Sequence, residues 1–159
     1  MLKKILSLLY LSAHKGNVFL YKKNIFKKQH SKNLFVVGVG NLTLGGSGKT
    51  PFIKLLSRFL SKQKTPHCII SRGYKKQLSG EHIINKSNID SFTANQVGDE
   101  PFMLASELVG PSVFVGNKGK SLLSADRSNR FACALVDDGY QSFNIKKNYN
   151  ILLSSEYMN

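Results

Sequence analysis

Thr43-Leu44-Gly45-Gly46-Ser47-Gly48-Lys49-Thr50 follows the apolar run Asn33 to Gly40 (NLFVVGVG) and leads into Phe52 to Gln63 (FIKLLSRFLSKQ). The run ends in glycines, as a buried parallel strand does. In the segment that follows, Phe52, Leu55, Leu56, Phe59 and Leu60 recur at helical spacing. Pro51 suits the first turn of a helix, where its missing N–H is no loss. The octet matches G-x-x-x-x-G-K-[ST] except for Thr43 at the first position, and strand, glycine loop, helix is the setting that motif requires. Gly45, Gly46 and Gly48 let successive N–H groups bend toward one phosphate, and the helix N-terminus adds a favourable dipole. Lys49 is placed to reach the β- and γ-phosphates, and the Thr50 hydroxyl to ligate Mg²⁺. Thr43, Leu44, Gly45, Gly46, Ser47, Gly48, Lys49 and Thr50 are therefore the expected nucleotide-binding residues, with ATP and Mg²⁺ as the expected cofactors. A dinucleotide site built on Gly38-x-Gly40 fails, because the third glycine position is Thr43 and no acidic residue follows at the spacing needed to hold a ribose.

Outward from the loop the same alternation continues. Strands are expected at His67 to Ser71, His82 to Ile84, Ser112 to Val115, Ala132 to Val136 and Tyr149 to Leu153, and helices from about Asp99 to Val109 and about Lys118 to Ser128. Strands alternating with helices imply an α/β fold, a P-loop NTPase-like parallel sheet with helices on both faces. Cys68 and Cys133 each sit in an apolar run that reads as a buried strand, without disulfide or metal-ligand spacing, which suits a reduced cytosolic protein.

Charge divides the chain of 159 residues. Residues 1–80 hold sixteen Lys and Arg and no Asp or Glu, so the first half is +16 and the second −2, giving the net +14. Such asymmetry points to a polyanionic partner, either an anionic membrane surface or nucleic acid. Residues 1–32 form an expected basic leader, in which Leu2, Ile5, Leu6, Leu8, Leu9, Val18, Phe19, Leu20, Ile25 and Phe26 alternate with eight lysines. Its apolar core is interrupted by His14-Lys15-Gly16-Asn17, far short of the ~20 residues that span a bilayer. It imitates a secretory signal, but a P-loop needs cytosolic ATP. The expectation is an amphipathic helix lying on an anionic membrane surface, followed by a P-loop kinase domain over residues 33–159.

Two further sites carry carboxylates. Ala134-Leu135-Val136-Asp137-Asp138 reads as an apolar strand delivering Asp137 and Asp138 to its carboxyl edge, where a phosphate-bound Mg²⁺ would lie. Gly98-Asp99-Glu100-Pro101 places two carboxylates at a helix start, either as dipole compensation or as a general base for an acceptor hydroxyl.

The ordered set Gly40 to Pro51 (GNLTLGGSGKTP), Ser71 to Tyr74 (SRGY), Gly98 to Pro101 (GDEP) and Asp137 to Gln141 (DDGYQ) resembles the tetraacyldisaccharide 4'-kinase family. The resemblance implies transfer of the ATP γ-phosphate to the 4'-hydroxyl of a tetraacyldisaccharide 1-phosphate in lipid A synthesis, at the cytoplasmic face of the bacterial inner membrane. It implies that Asp99 and Lys49 are catalytic, that Thr50, Glu100, Asp137 and Asp138 serve the metal, and that Arg72 lies near the phosphates. After Ser112 to Val115 the family carries an Arg where this chain has Gly116-Asn117-Lys118-Gly119-Lys120, so Lys118 or Lys120 is the expected substitute. Family members also continue into a second α/β domain that supplies a His to the catalytic Asp. The resemblance thus covers the amino-terminal ATP-binding half, and the expectations are a separate carboxyl-terminal half, a fragment, or an inactive nucleotide-binding remnant. The competing class is a small P-loop ATPase that holds nucleic acid through its basic half, with Tyr10, Phe19, Tyr21 and Phe26 stacking on bases. SRGY, GDEP and DDGYQ together favour the kinase.

Overall fold

The computed structural model describes residues 28–41 and 48–154. Of the leader expected over residues 1–32, residues 1–27 lie outside the described residues, as do Thr43, Leu44, Gly45, Gly46 and Ser47 of the glycine loop. The elements are β1 (Phe35–Asn41), α1 (Lys49–Lys62), β2 (His67–Ser71), β3 (His82–Ile84), a 3-10 turn (Ile89–Ser91), α2 (Ala94–Val97), α3 (Asp99–Glu107), β4 (Ser112–Val115), α4 (Lys118–Arg127), β5 (Cys133–Val136) and β6 (Tyr149–Leu153). They form one six-stranded sheet in the order β3-β4-β2-β5-β1-β6. The sheet is parallel as expected except at one edge, where β3 pairs antiparallel with β4 (His82↔Val115, Ile84↔Val113). A strand of three residues at the edge needs only one neighbour, so the connection from β2 can return in either direction.

Alternation along the central strands builds two cores. Val37, Val39, Ile69, Val113, Val115 and Leu135 face one side with Ile53 of α1 and Leu104 of α3. Val36, Cys68, Ile70, Phe114, Ala134 and Val136 face the other, against Leu122 and Ala125 of α4. The near-continuous apolar character of these strands follows from helices covering both faces. A buried polar pair pins α1 to the sheet: Ser57 Oγ lies 2.7 Å from His67 Nε2, and His67 Nδ1 lies 2.9 Å from the Thr65 carbonyl. Burial lowers the His67 pKa despite the Thr65 contact, so the neutral ring is favoured.

Helix α1 turns only part of its apolar face to the sheet. Ile53 and Ser57 are its buried positions, with Phe52, Leu56 and Leu60 partly covered, whereas Leu55 and Phe59 are 64% and 55% exposed. The covered positions Phe52, Ile53, Leu56, Ser57 and Leu60 fill an arc as wide as that of the five periodic ones, but turned toward Ile53 and away from Leu55 and Phe59. The short α2 and the 3-10 turn before it were not expected. The signal for α2 is nonetheless local: Thr93 and Gln96 form a capping box, with the Thr93 N–H donating to Gln96 Oε1 at 2.9 Å. The last residues of the expected leader already pack on the domain. Gln29 bridges Ile145, and buried Ser31 donates its hydroxyl to Asp126 at 2.6 Å.

Candidate functional site

Three neighbouring parallel strands deliver their carboxyl ends to one cavity of about 390 Å³. Ser71 and Arg72 follow β2, Gly116, Asn117 and Lys118 follow β4, and Asp137 and Asp138 follow β5. Glu100, near the start of α3, completes that wall, and Gln141, Ser142 and Asn144 come from the turn after β5. Open parallel sheets place ligands at this edge because the connecting loops diverge there to opposite faces.

The described part of the glycine loop begins at Gly48, the N-cap of α1, whose φ of +74° falls in the left-handed region. Lys49 and Thr50 open the helix. The Lys49 ammonium pairs with Asp138, and the Thr50 hydroxyl donates to Glu100. Three motifs far apart in the chain thereby meet. SRGY and GDEP also meet, through their glycines. A Cβ on Gly98 would lie 3.1 Å from the Gly73 Cα, and both residues have positive φ, so the two loops pack backbone on backbone.

The two aspartates differ sharply. Asp137 is buried, accepts a hydrogen bond from Ser71 Oγ at 3.1 Å through one oxygen, and has no hydrogen-bond partner for the other among the described residues. Burial, then the charges of Glu100 and Asp138, push its pKa up to about 6, with Lys118 and the Ser71 hydrogen bond opposing. Asp138 is 42% exposed at its side chain and adopts φ +47°, an uncommon conformation for a residue with a Cβ. Burial lowers the Lys49 pKa, but the Asp138 hydrogen bond and the charges of Asp138, Asp137 and Glu100 outweigh it, and the net shift is upward.

Of the residues expected at the site, Glu100, Asp137, Asp138 and Arg72 line the cavity, while Lys49 and Thr50 join it through Asp138 and Glu100. Asp99 is exposed at the first position of α3 and does not line that cavity. Lys118 and Lys120, the expected substitutes for the family's Arg, part company. Lys118 turns inward and donates to the carbonyls of Asp137 and Asp138 and to Ser142 Oγ. Burial lowers its pKa, with Lys49 and Arg72 adding to that effect and Asp137 and Asp138 opposing it. Lys120 instead borders an adjoining cavity with Arg72 and Lys76. Ser71, Ser142 and Lys147 were missed as contributors. Only the first lies within a quoted motif, and nothing local marks a Ser or Lys as the partner of a distant carboxylate or carbonyl.

Among the described residues no group of three His, Cys, Asp or Glu side chains forms a metal cage. Mg²⁺ does not require one, since it keeps several waters and takes one or two carboxylates beside substrate phosphates. The orphaned, buried oxygen of Asp137, with the Thr50 hydroxyl and Glu100 on the same edge, fits such an ion.

The comparisons with known proteins agree with this geometry. The family model for tetraacyldisaccharide-1-P 4'-kinase matches residues 1–157. The tetraacyldisaccharide 4'-kinase of Desulfotalea psychrophila is 37% identical over 150 residues, which cover 93% of this chain and 43% of that protein. The corresponding enzyme of Chlamydia abortus is 33% identical over 94% of this chain and 40% of its own length. Among solved structures, LpxK from Aquifex aeolicus, crystallised in complex with ATP, superposes with a TM-score of 0.80 at 31% identity. That match covers 96% of this chain and 49% of the Aquifex chain. The chain thus spans less than half the length of these relatives.

Proposed function

The chain belongs to the tetraacyldisaccharide 4'-kinase family, and we propose that it provides the ATP site for transfer of a γ-phosphate to the 4'-hydroxyl of a tetraacyldisaccharide 1-phosphate. The observation that carries this reading is the convergence of Lys49, Thr50, Glu100, Asp137 and Asp138 at the carboxyl edge of the sheet.

In this reading the N–H groups of the glycine loop and the start of α1 hold the phosphates, and Lys49 exchanges its contact with Asp138 for β- and γ-phosphate oxygens. Thr50, Glu100, Asp137 and Asp138 would hold Mg²⁺. When bound, that ion offsets charge on the β- and γ-phosphate oxygens. Arg72, on the cavity wall, faces the phosphoryl group in flight. Asp99 takes the proton of the acceptor hydroxyl as its oxygen bonds to the γ-phosphorus and the bond to the bridging oxygen breaks, releasing ADP. The exposed position of Asp99, beside the cavity, suits a base that meets the acceptor and not the nucleotide.

The basic leader would lie on the anionic cytoplasmic face of the bacterial inner membrane, where the acylated substrate resides. No helix among the described residues is long and apolar enough to cross a membrane. Deleting residues 1–27 should remove most binding to anionic liposomes; equal partitioning with and without them would contradict this role. The catalytic reading is tested by supplying the chain with the family's second domain, Mg²⁺-ATP and tetraacyldisaccharide 1-phosphate. Phosphate appearing on the 4'-hydroxyl supports it, and a correctly assembled but inactive mixture favours a nucleotide-binding remnant.

A further inference from the structure

Gly38-Val39-Gly40 looks like part of a nucleotide fingerprint, yet the dinucleotide reading does not use it. In the fold it has a different employment. The turn Asp137 to Ser142 lies directly on the carboxyl half of β1, in backbone contact. The Gly139 N–H donates to the Val39 carbonyl at 2.7 Å. A Cβ on Gly139 would stand 2.3 Å from the Gly38 Cα, and one on Gly40 would stand 2.6 Å from the Tyr140 Cβ. A Cβ on Gly38 would meet the Lys147 Cδ at 2.7 Å. The missing side chain at Gly38 is therefore the channel through which the Lys147 stem passes.

At the end of that channel the Lys147 ammonium donates to the carbonyls of Gly139, at 2.6 Å, and Ser142, at 2.9 Å. Lys118 takes the carbonyls of Asp137 and Asp138. Two ammonium groups thus hold four carbonyls of one six-residue turn, but from different places. Lys118 lines the cavity; Lys147 does not, and belongs to the separate hollow bordered by Lys28, Tyr140 and Phe143. The turn needs such restraint, because it contains Asp138 at positive φ and Asp137 with an unpartnered oxygen. Conformations of this kind persist only when the surroundings over-determine them.

Resting on the nucleotide-site reading, we propose that Lys147, seated through Gly38, is a positioning residue that orients Asp137 and Asp138 toward the phosphate-bound metal from the side remote from the cavity. Removing an outer partner of a metal carboxylate weakens metal affinity without touching the ligand itself. Nucleotide held by the glycine loop and Lys49 alone should not notice the change. Lys147→Met keeps the stem and removes the donors, while Lys147→Arg keeps a cation and donors.

The test measures affinity for ATP in EDTA and for ATP with Mn²⁺ on the full chain, with Mn²⁺ bound in the ternary complex followed by electron paramagnetic resonance. In Lys147→Met the metal-free affinity should stay within about twofold, the gain from Mn²⁺ should fall about tenfold, and the Mn²⁺ spectrum should change. Lys147→Arg should recover most of the gain. An unchanged gain overturns the inference, and so does an equal loss with and without metal accompanied by a lowered melting temperature, since that is the mark of a merely structural lysine. Should Lys147→Met fail to fold, Lys147→Gln carries the same comparison. Wild-type chain that binds no nucleotide at all would overturn the nucleotide-site reading, and this inference with it.

Discussion

The two ends of the sheet treat a carboxylate in opposite ways. At the amino-terminal end, Asp126 accepts hydrogen bonds from the Ser31 hydroxyl at 2.6 Å and from the N–H groups of Asn33 at 3.0 Å and Lys32 at 3.2 Å. Desolvation pushes its pKa up, but these donors and nearby His30 outweigh it, and the carboxylate form is favoured. At the carboxyl-terminal end, Asp137 has one serine donor, an orphaned oxygen and two acidic neighbours, and its pKa rises to about 6. The first is a fastening, satisfied by the chain itself. The second is satisfied only when something cationic arrives, which is how a site differs from a strut.

Substitutions at the two ends should separate accordingly. The largest effect is expected at the site end, where Asp99→Asn should slow phosphoryl transfer by roughly 10²–10⁴-fold through loss of the general base. Its stability cost should be only ~0.3–1 kcal/mol, the contribution of a carboxylate near a helix start. Near-normal turnover by Asp99→Asn in the reconstituted reaction would remove Asp99 from the chemistry. At the opposite end the signature reverses: Asp126→Ala should cost about 0.5–1.5 kcal/mol in denaturant unfolding, mainly because it strips the buried Ser31 hydroxyl of its acceptor, while ATP affinity stays unchanged. A fall in affinity would show that the two ends are coupled.

Much of this contrast was legible in the residues, and the rest was not, for physical reasons. Strands β2, β3, β4 and β6 begin and end where the apolar runs do; β2 and β4 are buried on both faces and leave a continuous local signal, whereas the edge strands β3 and β6 are only partly buried and are marked by composition alone. GKT and the paired aspartates were equally plain. The partners of those groups were not. Ser71 is 66 residues from Asp137, and Lys118 and Lys147 act on carbonyls, which have no sequence identity. The exposed Leu55 and Phe59 show the converse limit: periodicity marks an apolar face without saying how much of it the sheet covers.

A smaller effect follows from the Asp137 pKa. Because the folded-state value lies above the ordinary 3.8, the folded chain keeps a proton that the unfolded chain releases between about pH 4 and about 6. Stability without ligand should therefore fall as pH rises through that window and remain lower above it. Asp137→Asn should flatten the profile in that range. An unaltered profile in Asp137→Asn would assign the slope to other carboxylates.

The most direct measurement is protection of the chain by Mg²⁺-ATP in thermal unfolding, compared between wild type and Lys49→Ala. At a ligand concentration 100 times the dissociation constant, binding to the folded state alone contributes about 2.7 kcal/mol, a shift of several degrees for a domain of this size. Removal of the Lys49 ammonium leaves phosphate charge uncompensated beside Asp137 and Asp138, so that protection should be lost or greatly reduced in Lys49→Ala. Equal protection of both proteins by Mg²⁺-ATP would contradict the assignment of the carboxyl edge of the sheet as the nucleotide site.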